Sequence, residues 1–243
     1  MNQVQADTEA NLAAIVNAAE EAADAGADLV LFAEAALTGL VNNDDPAHDL
    51  PLGQEIPGPI TESLARLAQR IGVWIAVGLI EREGTRLYDS ALLFSPDGRI
   101  ALRHRRIQSL WHGRSADPAV YCQGTKMEAA DTPLGRFVFL ICGELFDDEV
   151  LGKARALQPD WVLFPFARCF DDGSNSQERW DRDERPDYVG RVRMLGVTTL
   201  MVNYLADREL DGGSFGGAMV VAGNGEVVSS FPLGKVGTLL LDL

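Results

Sequence analysis

Cys142 stands directly after the apolar run Phe137-Val138-Phe139-Leu140-Ile141 and directly before Gly143. A run without polar alternation reads as a strand buried on both faces. The C-terminal tip of such a strand is where α/β proteins place reactive groups. Glu34 closes a second apolar run, Asp28-Leu29-Val30-Leu31-Phe32-Ala33, and Arg106 follows a third strand, expected at 99–103. A thiol, a carboxylate and a cation meeting at one rim would supply a nucleophile, a proton carrier and a charge for an anionic tetrahedral intermediate. Hydrolysis of an amide or nitrile through a thioester requires that set. Gly143 would let a substrate approach the backbone closely and offer its N–H to the oxyanion. Plainer readings stand beside this one. Cys142 reads equally as a buried small hydrophobe, Glu34 as a strand-end carboxylate capping a loop, and Arg106 as a solvated cation within Arg103-His104-Arg105-Arg106.

The chain has 243 residues, 47% of them hydrophobic, and a net charge of −15. That length suits a single domain spanning 1–243. The acidic balance argues against nucleic acid or an anionic membrane as partner. Three cysteines (Cys122, Cys142 and Cys169), with no C-x-x-C pair and three histidines, argue against a disulfide framework or a structural zinc site. No metal or cofactor is called for. No apolar run reaches membrane-spanning length and no basic leader segment is present, so a reducing cytoplasm is the expected location.

Helices are expected from Asp7 to Gly26, over 61–70, over 148–157 and from Pro186 to Leu195. Buried strands are expected at 28–34, 72–80, 137–141, 161–165 and 198–203. Hairpins fall at 90–95 with 99–103, and at 217–222 with 226–230, and a last strand at 238–243. The two halves echo one another. Gly26-Ala27-Asp28-Leu29-Val30-Leu31-Phe32 matches Gln158-Pro159-Asp160-Trp161-Val162-Leu163-Phe164, and the hairpin turns Asp97-Gly98 and Asn224-Gly225 also correspond. Strands alternating with helices predict α/β layers, and two such halves would bury their apolar sheet faces against each other. The Cys142 strand has no first-half counterpart, because residues 1–6 are short and polar. A first N-terminal strand is therefore expected to be missing through a late start.

The chain resembles the nitrilase, or carbon–nitrogen hydrolase, superfamily over essentially its whole length. The resemblance rests on Phe32-Ala33-Glu34 with Leu37-Thr38-Gly39, on His104-Arg105-Arg106-Ile107-Gln108, and on Ile141-Cys142-Gly143-Glu144 with Asp148-Glu149. Leu87-Tyr88-Asp89-Ser90, Thr132-Pro133-Leu134-Gly135-Arg136 and Gly213-Ser214-Phe215-Gly216-Gly217 are supporting echoes. It implies an αββα four-layer sandwich of two repeated halves, an amidase-like cleavage of a small non-peptide amide or nitrile, and assembly as a homodimer or larger homo-oligomer. Carried over by position, Cys142 is the nucleophile, Glu34 the general base, the Gly143 N–H part of the oxyanion site, and Asp117 the second carboxylate. The sequence departs from the family pattern at the cation, where Arg106 stands for a lysine. It departs also at Asp117, shorter than the usual Glu, and at Gly143, where the family has Tyr. Arginine keeps the charge but hardly gives up a proton.

Two rivals follow. One is a catalytically impaired homologue of the same fold, acting as a binding or assembly protein. The other is a dyad of Cys142 with His104 or His112. The loops 39–60, 108–123 and 166–187 carry no readable substrate code, although Trp111, Tyr121 and Trp180 are candidates to line a pocket.

Overall fold

The computed structural model describes residues 4, 6–206 and 213–242. Helix α1 (Thr8–Asp24) starts at Asp7, whose carboxylate accepts from the N–H groups of Glu9 and Ala10. Next come strand β1 (Leu29–Leu31), the short helix α2 (Pro46–Asp49) and helix α3 (Pro59–Ile71). Gly72 ends α3 in the left-handed conformation, φ 70°. Three antiparallel strands follow, β2 (Trp74–Glu83), β3 (Arg86–Phe94) and β4 (Ile100–Arg105). The second half comprises β5 (Ala130–Thr132), β6 (Gly135–Phe139), a 3-10 turn over Cys142–Phe146, α4 (Asp148–Ala156), β7 (Trp161–Phe166), α5 (Gln177–Arg179), α6 (Arg185–Leu195), β8 (Thr198–Asn203), β9 (Ala218–Val221) and β10 (Val227–Phe231).

The strands form two sheets, ordered β1-β2-β3-β4 and β10-β9-β8-β7-β6-β5. The repeat is topological. β1 runs parallel to β2 as β7 does to β8, and the next two pairings in each half are antiparallel. Side-chain alternation assigns the layers. On β2, Ile75, Val77 and Leu79 pack under α1 and α3 with Ile15, Ala19, Leu64 and Leu67, whereas Ala76 faces the other sheet. On β6 and the two residues after it, Val138 and Leu140 pack under α4 and α6, whereas Phe137, Phe139 and Ile141 meet Ala91, Leu93 and Leu102 of the first sheet. Helices therefore cover both outer faces of a sheet-on-sheet core, the αββα sandwich expected. Each fully buried Leu, Ile or Phe contributes about 1.5–3 kcal/mol.

Two expectations change. Residues Thr238–Asp242 join no ladder. A cavity of about 390 Å³ is lined by Leu29–Phe32, Trp161 and this segment. The stretch expected as irregular before Pro186 is instead helical from Gln177. It widens to a π turn over Trp180–Glu184 just before the proline, which has no N–H to continue the ladder. Of residues 1–6, where a first strand is expected to be missing, residues 1–3 and 5 lie outside the described residues. Val4 is buried, makes a parallel bridge to Ala206 and donates to the Leu205 carbonyl at 2.8 Å. Among the described residues, no helix is long and apolar enough to cross a membrane.

Candidate active site

Glu34 sits in the turn immediately after β1. The Phe32 N–H continues the parallel ladder to Ala76 at 2.8 Å, and the turn then lies flat on β2. Gly78 makes this possible, since a Cβ there would lie 2.6 Å from the Ala35 nitrogen and 2.8 Å from the Glu34 Cα. The chain turns through Ala35 at φ 46°. One apolar strand and one glycine on its neighbour thus aim a carboxylate inward.

Arg106 extends the β3–β4 pairing by one residue, its N–H donating to the Asp89 carbonyl at 2.8 Å. Alternation along β4 sends Arg103 and Arg105 to one face, where they pair with Glu81 and Glu83. His104 and Arg106 point into the sandwich, where both are buried. Arg106 Nη1 donates to Glu34 Oε1 at 3.0 Å and to Asp89 Oδ2 at 3.3 Å, and Nη2 donates to Gln108 Oε1 at 2.5 Å.

Cys142 lies just past β6, at φ 49°, a conformation that costs an L-residue about 1–3 kcal/mol and is held by its surroundings. Glu144 provides the hold. Its buried carboxylate accepts from the Ile141 N–H at 2.7 Å, from the Ile107 N–H at 2.6 Å and from His104 Nε2 at 2.8 Å. A single side chain thereby ties the Cys142 turn to the segment carrying Arg106. The Cys142 thiol donates to the Ala167 carbonyl at 3.6 Å, just beyond β7. Gly143 leaves room for Gln108, whose amide oxygen would lie 2.3 Å from a Cβ at that position.

Burial pushes the Glu34 carboxyl well above the usual carboxylate range. The charges of Cys142 and Asp89 push the same way, against the opposing pull of Arg106. Burial also raises Asp89, with Arg106 pulling it back. Burial works against the charge on Arg106, but Glu34, Cys142 and Asp89 together outweigh it and raise the guanidinium further, so it stays charged. The structure therefore brings Glu34, Arg106 and Cys142 within mutual electrostatic reach, with Gly143 beside them.

It does not bring Asp117 there. That side chain is exposed and caps its own turn, accepting from the Ala119 N–H at 2.9 Å. A residue before a proline in a turn is well placed for that duty. Trp111 and Tyr121 are buried in a separate apolar cluster with Ile80 and Leu87, and Trp180 packs in the core under α6. His104 is engaged by Glu144, and the His112 ring bonds the Gly113 carbonyl and Gln123, so neither forms a dyad with the thiol. All three cysteines are free.

The family model for carbon-nitrogen hydrolases matches residues 1–243. The chain belongs to that family. It is 32% identical over 155 residues to "Nitrilase 2" of Arabidopsis thaliana, covering 57% of this chain and 44% of the relative. It is 32% identical over 124 residues to "Deaminated glutathione amidase" of Yersinia enterocolitica, covering 47% and 43%. The chain thus matches less than half the length of these relatives. The crystal structure of a carbon-nitrogen hydrolase from Helicobacter pylori G27 shares the fold at TM-score 0.80 and 18% identity, over 96% of this chain and 83% of that one.

Sequence reasoning about this member of the carbon–nitrogen hydrolase family missed Asp89, Gln108 and Glu144 as members of the cluster. Asp89 carried a readable signal, being an acid inside the apolar strand Leu87–Phe94. Glu144 and Gln108 carried none, because their roles depend on contacts between segments 37 and 40 residues apart in one case and on a glycine distant in the chain in the other.

Proposed function

We propose that the protein hydrolyses the C–N bond of a small non-peptide amide, or a nitrile, through a thioester on Cys142. The observation that carries this reading is the convergence of a buried Glu34–Arg106 pair on the strained Cys142 turn. In the proposed cycle Glu34 takes the thiol proton as the Cys142 sulfur adds to the carbonyl carbon. The oxyanion so formed is held by Arg106 and the Gly143 N–H. Glu34 then gives its proton to the leaving nitrogen, the C–N bond breaks and the amine departs, leaving a thioester. Water adds to the thioester, passing a proton to Glu34; the acid is released as the thiolate leaves, and Glu34 returns that proton to the sulfur, restoring the starting state.

Arg106 supplies charge and not a proton, so every proton transfer in this cycle falls to the carboxyl side. The test is ammonia or amine release from a panel of small amides and nitriles by the wild type and by Cys142→Ala. Turnover of at least one panel member that Cys142→Ala loses supports the reading. No turnover of any member favours the rival, a fold retained for binding or assembly.

A further inference from the structure

Two carboxyls and a single guanidinium share the interior beside Cys142. Glu34, Asp89 and Arg106 are exposed by only 2%, 1% and 3%. Both carboxyls approach the same nitrogen, Arg106 Nη1, at 3.0 and 3.3 Å. That leaves Glu34 Oε2 and Asp89 Oδ1 buried with no donor among the described residues. Unpaired buried oxygens of this kind are costly. The two carboxyls thus converge on one cation in a site closed to water, an arrangement in which both cannot ionise comfortably.

We infer that Glu34 and Asp89 share one proton, and that Asp89 is the positioning residue that stores a proton behind Glu34. One proton between them satisfies both orphan oxygens at once and leaves a single negative charge opposite Arg106. When Cys142 ionises, its proton enters the pair, which becomes neutral, and the thiolate takes over the negative charge opposite Arg106. Protons and charge balance without any contribution from the arginine. The other titratable groups facing the pair are Glu144 toward Asp89, with its partner His104, and Tyr188 and Tyr204 toward Glu34. Burial raises both tyrosines, Tyr204 to about 12, so neither competes for the proton.

The role in turnover rests on the hydrolase reading, but the shared proton does not, and the test uses no substrate. The rate of Cys142 alkylation by iodoacetamide is followed against pH in the wild type and in Asp89→Asn, which keeps the shape and removes the carboxyl. With one proton shared in the wild type, the variant keeps the same single negative charge, now on Glu34, and the alkylation midpoint should stay within about half a pH unit. Two ionised carboxyls would instead lose a charge, and the midpoint would fall by about one unit or more. Circular dichroism checks that the variant is folded. Infrared spectroscopy of the wild type near neutral pH should show a protonated-carboxyl band that Glu34→Gln removes. A midpoint lower by about one unit or more in folded Asp89→Asn overturns the inference. Should that variant not fold, absence of the band from the wild type overturns it instead. Failure of the hydrolase reading would appear separately, as an unmoved midpoint and a protonated-carboxyl band without turnover on the amide panel.

Discussion

Two carboxylate–arginine clusters lie on neighbouring residues of the same strands, and they differ in proportion: Arg103 and Arg105 face Glu81 and Glu83, whereas Arg106 alone faces Glu34 and Asp89. On the outer face of β2–β4, the buried Glu81 meets Arg103, Arg105 and the Ser90 hydroxyl. Both guanidiniums keep some solvent access, and Arg105 also stacks over the Tyr88 ring at 3.7 Å. One residue along, on the inner face, Arg106 alone meets Glu34 and Asp89, all three closed off from water. The outer cluster has more donors than it needs, and its work is to hold strands in register. The inner one has fewer cations than carboxyls and unpaired oxygens, so it is poised to exchange protons. A one-residue step along a strand, which moves a side chain to the other face, separates the two outcomes.

The comparison breaks most severely at the inner cation. Arg106→Met leaves two buried carboxyls without a counter-charge and should cost about 3–5 kcal/mol of stability, measured by urea unfolding. The loss should shrink at acid pH, where the carboxyls take up protons. Glu81→Gln breaks the outer cluster and should cost less, about 1–3 kcal/mol, toward the lower end because its partners are partly solvated. It should leave Cys142 alkylation unchanged. Arg106→Met, by contrast, should slow alkylation, because the thiolate loses its counter-charge; if Glu81→Gln slows it as much, the division of labour is wrong.

A pH series sharpens the contrast further. Glu34 and Asp89 hold protons more tightly folded than unfolded, so the folded state binds more protons. Their contribution to stability is fully present below the ordinary carboxylate range, near ~4. It is lost as pH rises from there through their raised folded-state range. Glu34→Gln should flatten that part of the stability profile, while Glu81→Gln should not. The smallest effect belongs to Gly143→Ala. The added Cβ meets the flexible end of Gln108, so stability should change by less than about 1 kcal/mol. Displacing Gln108 from Arg106 should slow alkylation only a few-fold.

Much of this arrangement was legible in the sequence. Unbroken apolar runs marked β1, β6 and β7, and the paired hairpins with Gly98 and Gly225 marked the repeat, because buried parallel strands and tight turns leave strong local signatures. Glu34, Arg106 and Cys142 could be picked out because each follows such a strand. Asp117 misled, since counting along the chain cannot tell a turn-capping carboxylate from one aimed at the site. Thr238–Asp242 misled for a related reason. Its run of three leucines, Leu239–Leu241, is strand-like, but a strand exists only where a partner edge lies within about 4.7–4.9 Å. The pairing of Glu34 with Asp89, and the staple made by Glu144, arise from side chains brought together by the sandwich itself, and no spacing in the chain announces them.

The central claim is that Cys142 forms a covalent acyl intermediate under the control of the inner cluster. Intact-protein mass spectrometry after rapid acid quench, with a small amide that the enzyme turns over, tests it most directly. The account predicts a mass increase equal to the acyl group, mapped by peptide analysis to Cys142, absent from Cys142→Ala and diminished in Glu34→Gln. An acyl mass on any other residue, or turnover that persists undiminished in Cys142→Ala, would contradict it.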